Sequence, residues 1–171
     1  MPHATPSAHT FRPPRCPRVQ YNWGMPHTTA MSILKGRGVR LIRTFVHDSA
    51  LMAAVAAVYG HDPVSLVIAI PNGELAAAAS DGAYMDALMW QVVTYGGYIT
   101  GINVGNEPWA PSARDATMPF LLSAFNNVVA ALQARGLAGS VKVAIPWSAE
   151  VLINTYPGAE GGWTNVWVGG A

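Results

Sequence analysis

The amino-acid sequence predicts an α/β protein built on a parallel β-sheet. Five short apolar runs, most of them closed by Gly or Pro, alternate with stretches in which apolar residues recur every three or four positions. This alternation is typical of βαβ units, in which a helix connects one strand to the next parallel strand. Two architectures satisfy the pattern: a doubly wound open sheet, and a (β/α)8 barrel, which needs about 250 residues.

The five predicted strands lie at residues 19–23, 39–45, 64–70, 98–104 and 141–145. The run at 64–70 is apolar almost throughout and lies between two prolines, which predicts a strand buried on both faces.

Helices are predicted between these strands. A brief one lies at 29–35, and the next begins with Ser49 as its N-cap and ends at Gly60. A third carries Met85, Leu88, Met89 and Val92 on one face, with Trp90 as a further packing residue, and a long one at 117–135 ends at Gly136.

The composition of the 171-residue chain excludes several classes of protein. The chain is 51% apolar and 11% charged, a composition typical of a globular protein. Its formal net charge of +1 gives no strong electrostatic field that would attract nucleic acid. No apolar run approaches the roughly 18–20 residues that cross a bilayer. A single cysteine, Cys16, excludes an internal disulfide network and a cysteine-based zinc site.

The first 17 residues predict a Pro-rich, disordered leader, and residues 18–171 form the predicted domain. The leader lacks the apolar stretch of a secretory signal peptide, so the sequence leaves localisation open. Nothing in the chain indicates an obligate protein partner.

Nucleotide, serine-hydrolase and metal sites find no support among the motifs. The chain has no Walker lysine and no Gly-x-Ser-x-Gly elbow, and Gly36 and Gly38 precede a strand instead of following one. Among five histidines only His47 falls at the carboxyl end of a predicted strand, where a hydrogen-bonded turn residue is the favoured interpretation. We therefore expect no cofactor and no metal.

The most informative segment is the end of the fourth predicted strand. There Asn106 and Glu107 follow the strand directly, and Pro108 and Trp109 come next. In α/β folds catalytic groups lie at the carboxyl ends of strands. Apolar walls beside the Glu107 carboxyl would favour its protonated form, which a general acid for a glycosidic oxygen needs. Asn106 could bind a sugar hydroxyl.

Aromatic residues cluster at the same predicted edge. Trp23, Trp109 and Trp147 each close or follow a strand, and Tyr21 lies within the first. Such side chains can stack on the apolar faces of sugar rings, so we expect Tyr21, Trp109 and Trp147 to bind carbohydrate.

Four segments together resemble glycoside hydrolase family 17, the endo-β-1,3-glucanases. They are RVQYNWG at 18–24, VRLIRTF at 39–45, IPNGEL at 70–75 and INVGNE at 102–107. The resemblance implies a (β/α)8 barrel that hydrolyses β-1,3-glucan with retention, in proteins that are secreted or bound to the cell wall. It also implies an acid/base role for Glu107, a place for Asn106 near the reacting sugar, and subsite roles for Tyr21, Phe45 and Asn72.

The chain departs from the family pattern at three positions and at its end. Phe45 replaces the usual Tyr, Val46 the usual Asp, and Gly73 a common Glu. Retention also requires a second carboxylate as nucleophile, about 5–5.5 Å from the first. The family carries it on the seventh strand, whereas only Glu150 and Glu160 follow Asp115 here, and neither directly follows a strand.

We therefore expect an incomplete barrel of about five βα units that holds the acid/base, lacks the nucleophile, and is inactive and only marginally stable by itself. The alternative is a non-catalytic glucan-binding or cell-wall-associated protein that keeps the aromatic edge. A transglycosylase on the same scaffold is a third possibility.

Overall fold

The computed structural model describes residues 24–110 and 112–147, together with the backbone of two short strands at 152–153 and 162–163. The predicted leader at 1–17 lies outside the described residues, as do the first predicted strand at 19–23 and Tyr21 within it.

Helices and strands alternate along the described chain as predicted. The strands of the main sheet are β1 (Leu41–Arg43), β2 (Ser65–Ile70), β3 (Ile99–Val104) and β4 (Lys142–Ala144). The helices are α1 (His27–Gly36), α2 (Ser49–Tyr59), α3 (Leu75–Ser80), α4 (Gly82–Thr94) and α5 (Arg114–Ala134). Two short strands, β5 (Leu152–Ile153) and β6 (Gly162–Trp163), pair antiparallel with each other.

The order of strands decides between the two predicted architectures. The main sheet runs β1-β2-β3-β4, and each strand is parallel to its neighbour. A doubly wound sheet reverses its strand order at a switch point, whereas a barrel adds each strand beside the previous one. The described sheet has no reversal and is therefore part of a barrel-type sheet.

The helices cover one face of this sheet. Leu66, Ile68 and Ile70 of β2 are fully buried against the helices, and Ile102 and Val104 of β3 extend the same layer. Ser65 and Val67, which alternate with them, are only half-buried. The prediction that this strand is buried on both faces is therefore wrong for its first half, because no layer covers its second face within the described residues.

Two helix predictions are also wrong in detail. Asp48, not Ser49, is the N-cap of α2, and its Oδ1 accepts a hydrogen bond from the Ala50 N–H at 2.8 Å. Trp90 does not pack into the core: α4 presents it outward, and the residue is 63% exposed.

The long helix α5 ends as predicted. Gly136 adopts φ +69°, and its N–H bonds to the Gln133 carbonyl while the Leu137 N–H reaches back to the Leu132 carbonyl. Leu121, Val128 and Leu132 are buried along its inner face, and Phe125 is half-buried beside them.

Within the described part of the chain, no helix combines the length and apolar character that crossing a bilayer requires.

Candidate active site

The carboxyl ends of β1 to β4 meet at one edge of the sheet, because parallel strands end on the same side. Most of the predicted site residues lie there. Phe45 follows β1, Asn72 follows β2, Asn106 and Glu107 follow β3, and Trp147 follows β4. Tyr21 lies outside the described residues.

Glu107 stands in a tight turn, residues 105–109, which we call the Glu107 turn. Its own φ is +48°, the only positive φ of a non-glycine residue in the described chain, and Gly105 has φ +80°. A Cβ at position 105 would lie 3.0 Å from Asn72 Oδ1 and 3.2 Å from the Pro108 ring. Only glycine fits there without displacing its neighbours.

The side chain of Asn72 holds this turn from the neighbouring strand end. Its Oδ1 accepts a hydrogen bond from the Asn106 N–H at 2.8 Å, and its Nδ2 donates to the Asn106 carbonyl at 2.9 Å. The backbone ladder between β2 and β3 ends just before, where the Gly105 N–H bonds to the Ile70 carbonyl at 2.9 Å. Because Pro71 has no N–H, the Asn72 carboxamide provides the next pair of bonds.

The other side of the turn is held by α5. The Thr117 hydroxyl, which is buried, donates to the Pro108 carbonyl at 2.6 Å. The Ala110 N–H bonds to the Glu107 carbonyl at 2.9 Å. The backbone around Glu107 is therefore bonded on both sides, which can maintain the unfavourable φ at Glu107.

The Glu107 side chain itself is exposed. The prediction of apolar walls around its carboxyl is wrong for the described residues, because they leave the side chain exposed. Within residues 24–110 and 112–147, no side chain forms a hydrogen bond or ion pair with this carboxylate. A carboxylate on a constrained backbone and free of such partners is open to a substrate.

The two tryptophans at this edge contact each other. The rings of Trp109 and Trp147 stack with centroids 5.3 Å apart and an interplanar angle of 11°. Trp109 is half-buried against the core, while 40% of Trp147 is exposed. The pair brings the ends of β3 and β4 together and leaves an aromatic surface beside the Glu107 turn.

Phe45 is 59% exposed, and the Arg43 guanidinium lies over its ring at 5.4 Å from the centroid. The Phe45 side chain is thus accessible at the same edge, with one face occupied by a cation.

A second polar group occupies the same edge next to β1 and β2, and we call it the His47 cluster (His47, Glu74, Tyr84 and Gln91). His47 Nε2 lies 2.7 Å from Glu74 Oε2 and 2.9 Å from the Tyr84 hydroxyl, and its Nδ1 lies 3.2 Å from Gln91 Oε1. The Tyr84 hydroxyl donates to Glu74 Oε2 at 2.7 Å. Burial raises the pKa of Tyr84, and the hydrogen bond to Glu74 raises it further. The interpretation of His47 as a hydrogen-bonded turn residue fits this arrangement.

Metal-binding clusters are absent from the described residues, and a cavity lies away from this edge of the sheet. No group of three or more His, Cys, Asp or Glu side chains in the described chain could hold a metal ion. A cavity of about 590 Å³ lies at the opposite end of the sheet, where Arg40, Ser65 and Tyr98 border the amino ends of the strands.

Comparison with known proteins connects this geometry to a family. No family model matches the chain. Glucan endo-1,3-beta-glucosidase 8 of Arabidopsis thaliana is 30% identical over 140 residues, which are 76% of this chain and 28% of the relative. Glucan endo-1,3-beta-glucosidase 5 of the same plant is 29% identical over 144 residues, which are 78% of this chain and 29% of the relative. The chain thus spans less than a third of these relatives.

Solved structures agree. The β-1,3-glucanase and allergen of Cryptomeria japonica pollen matches with a TM-score of 0.67 and 22% identity, covering 82% of this chain and 44% of that one. A plant β-glucan endohydrolase matches with a TM-score of 0.66 and 27% identity, covering 82% of this chain and 43% of that one. The chain is similar in sequence and in fold to plant β-1,3-glucanases. The predicted resemblance to glycoside hydrolase family 17 and the incomplete (β/α)8 fold are confirmed.

Two features of the site were not predicted from the sequence. The Asn72 side chain bonds to backbone in the structure, and the His47 cluster joins residues far apart in the chain. The Pro71-Asn72 pair directly after a strand was an available signal for the first. Nothing in the sequence pairs His47 with Tyr84, because they are 37 residues apart.

Proposed function

We propose that this chain carries the acid/base half of a retaining β-1,3-glucan hydrolase site, with Glu107 as the acid/base. The observation that carries this proposal is the exposed carboxylate of Glu107, which has no hydrogen-bond or ion-pair partner among the described residues, on a backbone bonded from both sides at the carboxyl edge of a barrel-type sheet. The names of the relatives, which are glucan endo-1,3-beta-glucosidases, supply the substrate class.

In this mechanism the Glu107 carboxyl group donates its proton to the glycosidic oxygen while the bond to the anomeric carbon breaks. It then removes a proton from the water that releases the sugar. The nearby Glu74 does not suit the nucleophile's role, because its carboxylate already bonds His47 and Tyr84. We propose that the nucleophile is missing from this chain, which therefore does not hydrolyse glucan by itself.

A missing nucleophile can be replaced by azide, which gives a direct test on the 171-residue chain. Azide attacks the anomeric carbon of phenyl β-laminaribioside, an aryl glycoside whose unactivated leaving oxygen needs a proton, from the face opposite that oxygen. The bond from that carbon to the oxygen breaks, its electron pair stays on the oxygen, and Glu107 protonates it. We expect azide-dependent release of the aryl alcohol, reduced about 10²–10⁴-fold by Glu107→Gln.

Asp86→Asn is the matched control, because Asp86 is an exposed carboxylate ion-paired with Arg135 at 3.0 Å on the outer helices. It should release the alcohol at the wild-type rate. Release without azide would show that the chain supplies its own nucleophile. Azide-dependent release that is unchanged in Glu107→Gln would refute the acid/base assignment.

The stacked Trp109–Trp147 pair supports a second candidate, a non-catalytic glucan-binding protein. This function predicts saturable binding of laminarin that Trp109→Ala abolishes and Glu107→Gln leaves intact, with no release of aryl alcohol even in azide. Isothermal titration calorimetry with laminarin separates the two candidates.

A further inference from the structure

We infer that Asn72 is a positioning residue for Glu107 and not a ligand of the glucan chain. This inference rests on the proposed function, because it concerns the acid/base of that same site. It departs from the subsite role that the family resemblance implies for Asn72.

The first argument is the occupancy of the Asn72 carboxamide. Its oxygen and its nitrogen are each bonded to the backbone of one residue, Asn106, at 2.8 and 2.9 Å. The side chain is half-buried between two strand ends, and Oδ1 lies 3.0 Å from the position that a Cβ on residue 105 would take. Both polar atoms of the side chain therefore already have a backbone partner that fixes their orientation, which leaves one N–H and one lone pair for other contacts.

The second argument is the backbone that this bond pair holds. Glu107 directly follows Asn106, the residue that Asn72 bonds, and has φ +48°. Residues other than glycine and asparagine rarely adopt this backbone conformation. Such a conformation persists only where neighbouring contacts impose it. Asn72 fixes the residue before Glu107, and Thr117 fixes Pro108 after it. Releasing the first of these bonds lets the Glu107 backbone relax and moves its carboxyl away from the bond to be broken.

The third argument is that the Asn72 bonds extend the hydrogen-bond pattern between β2 and β3. The two bonds of Asn72 continue the β2–β3 pairing beyond Ile70 and Gly105, so the side chain acts as one more rung of the ladder. A rung at this place ties the position of the acid/base to the rigid sheet. Small displacements of a catalytic group cost large factors in rate, which makes such a tie effective.

The test uses the full chain with two variants and one control. Asn72→Ala removes both bonds, and Asn72→Asp keeps the acceptor for the Asn106 N–H but loses the donor while ionised. Asn127→Ala is the control, because the Asn127 Nδ2 donates to the Ala78 and Ala79 carbonyls on α3, away from the Glu107 turn.

Two NMR measurements report on the turn and do not depend on enzymatic activity. They are the hydrogen-exchange rate of the Asn106 amide and the three-bond coupling between the amide and Hα protons of Glu107, which depends on φ. We expect Asn72→Ala to accelerate the exchange at least tenfold and to change the coupling, and Asn127→Ala to change neither. Unchanged exchange and coupling in Asn72→Ala would overturn the inference.

Azide-dependent release of aryl alcohol is the kinetic readout. We expect Asn72→Ala to lower kcat at least tenfold with KM within twofold. For Asn72→Asp we expect the coupling at Glu107 to return toward its wild-type value as the pH falls through about 4, where the carboxyl regains a donor. A raised KM with unchanged kcat would instead make Asn72 a substrate ligand. If wild type releases nothing in azide, the proposed function fails and the catalytic part of this inference fails with it, while exchange and coupling still decide whether Asn72 holds the turn.

Discussion

Two glutamates follow neighbouring strands at the same edge of the sheet, and their surroundings are opposite. Glu74 follows β2, and its carboxylate accepts bonds from His47 and Tyr84. Glu107 follows β3 on a backbone bonded from both sides, and its carboxylate has no such partner among the described residues. At Glu74 the side chain is fixed, whereas at Glu107 the main chain is fixed and the side chain is left accessible. The comparison teaches that a carboxylate at a strand end is a catalytic candidate when hydrogen bonds hold its main chain while the carboxylate itself has no bonding partner.

The largest expected effect comes from disturbing the backbone of the Glu107 turn. Gly105→Ala places a Cβ against Asn72 and Pro108 at a residue with φ +80°, so we expect a loss of about 2–3 kcal/mol in the free energy of unfolding. Urea denaturation followed by tryptophan fluorescence measures it.

Gly73→Ala is the matched control on the same edge, since nothing lies within 4 Å of its added Cβ and its φ is not positive. Its unfolding free energy should stay within about 0.5 kcal/mol of wild type. Equal losses in both variants would contradict a special constraint at Gly105.

A smaller effect separates the two carboxylates directly. Glu74→Gln weakens charge-assisted bonds from His47 and Tyr84, and because 43% of the Glu74 side chain is exposed we expect a loss of only about 1 kcal/mol. Glu107→Gln should change the unfolding free energy by less than about 0.5 kcal/mol, since no partner is lost. Urea denaturation of the two variants side by side tests this, and a reversed order would break the comparison.

The smallest effect is confined to alkaline pH. Burial and the bond to Glu74 raise the pKa of Tyr84, and burial also raises that of Tyr59, so the folded chain holds these protons more tightly than the unfolded chain. The resulting stability is complete below the unfolded tyrosine pKa of about 10 and is lost as the pH rises beyond it. Urea denaturation at pH 8 to 11 should show a shallower loss for Tyr84→Phe than for wild type. Parallel curves would mean that Tyr84 does not contribute.

The parts of the fold that were predictable are those in which neighbours along the chain carry the signal. The strands β1 to β4, the end of α2 at Gly60 and the end of α5 at Gly136 follow from apolar runs and from glycine placement. The N-cap of α2 was misassigned by one residue, because Asp48 and Ser49 can both cap and only the backbone conformation chooses between them. The outward position of Trp90 was missed, because in a helix that is apolar on most sides the sequence pattern does not show which face an aromatic residue occupies.

For the site, the sequence by itself determined that Glu107 ends a strand beside Asn106 and Trp109, since strand ends and their flanking residues are local properties. Only the tertiary structure decided which groups constrain it. The Asn72 carboxamide reaches Asn106 across 34 residues, Trp109 stacks on Trp147 from another strand, and the Glu107 carboxyl is exposed instead of enclosed. Those outcomes depend on register and on which strand lies next to which, and both are set when the sheet assembles, because pairing between distant segments leaves no periodic trace in either one.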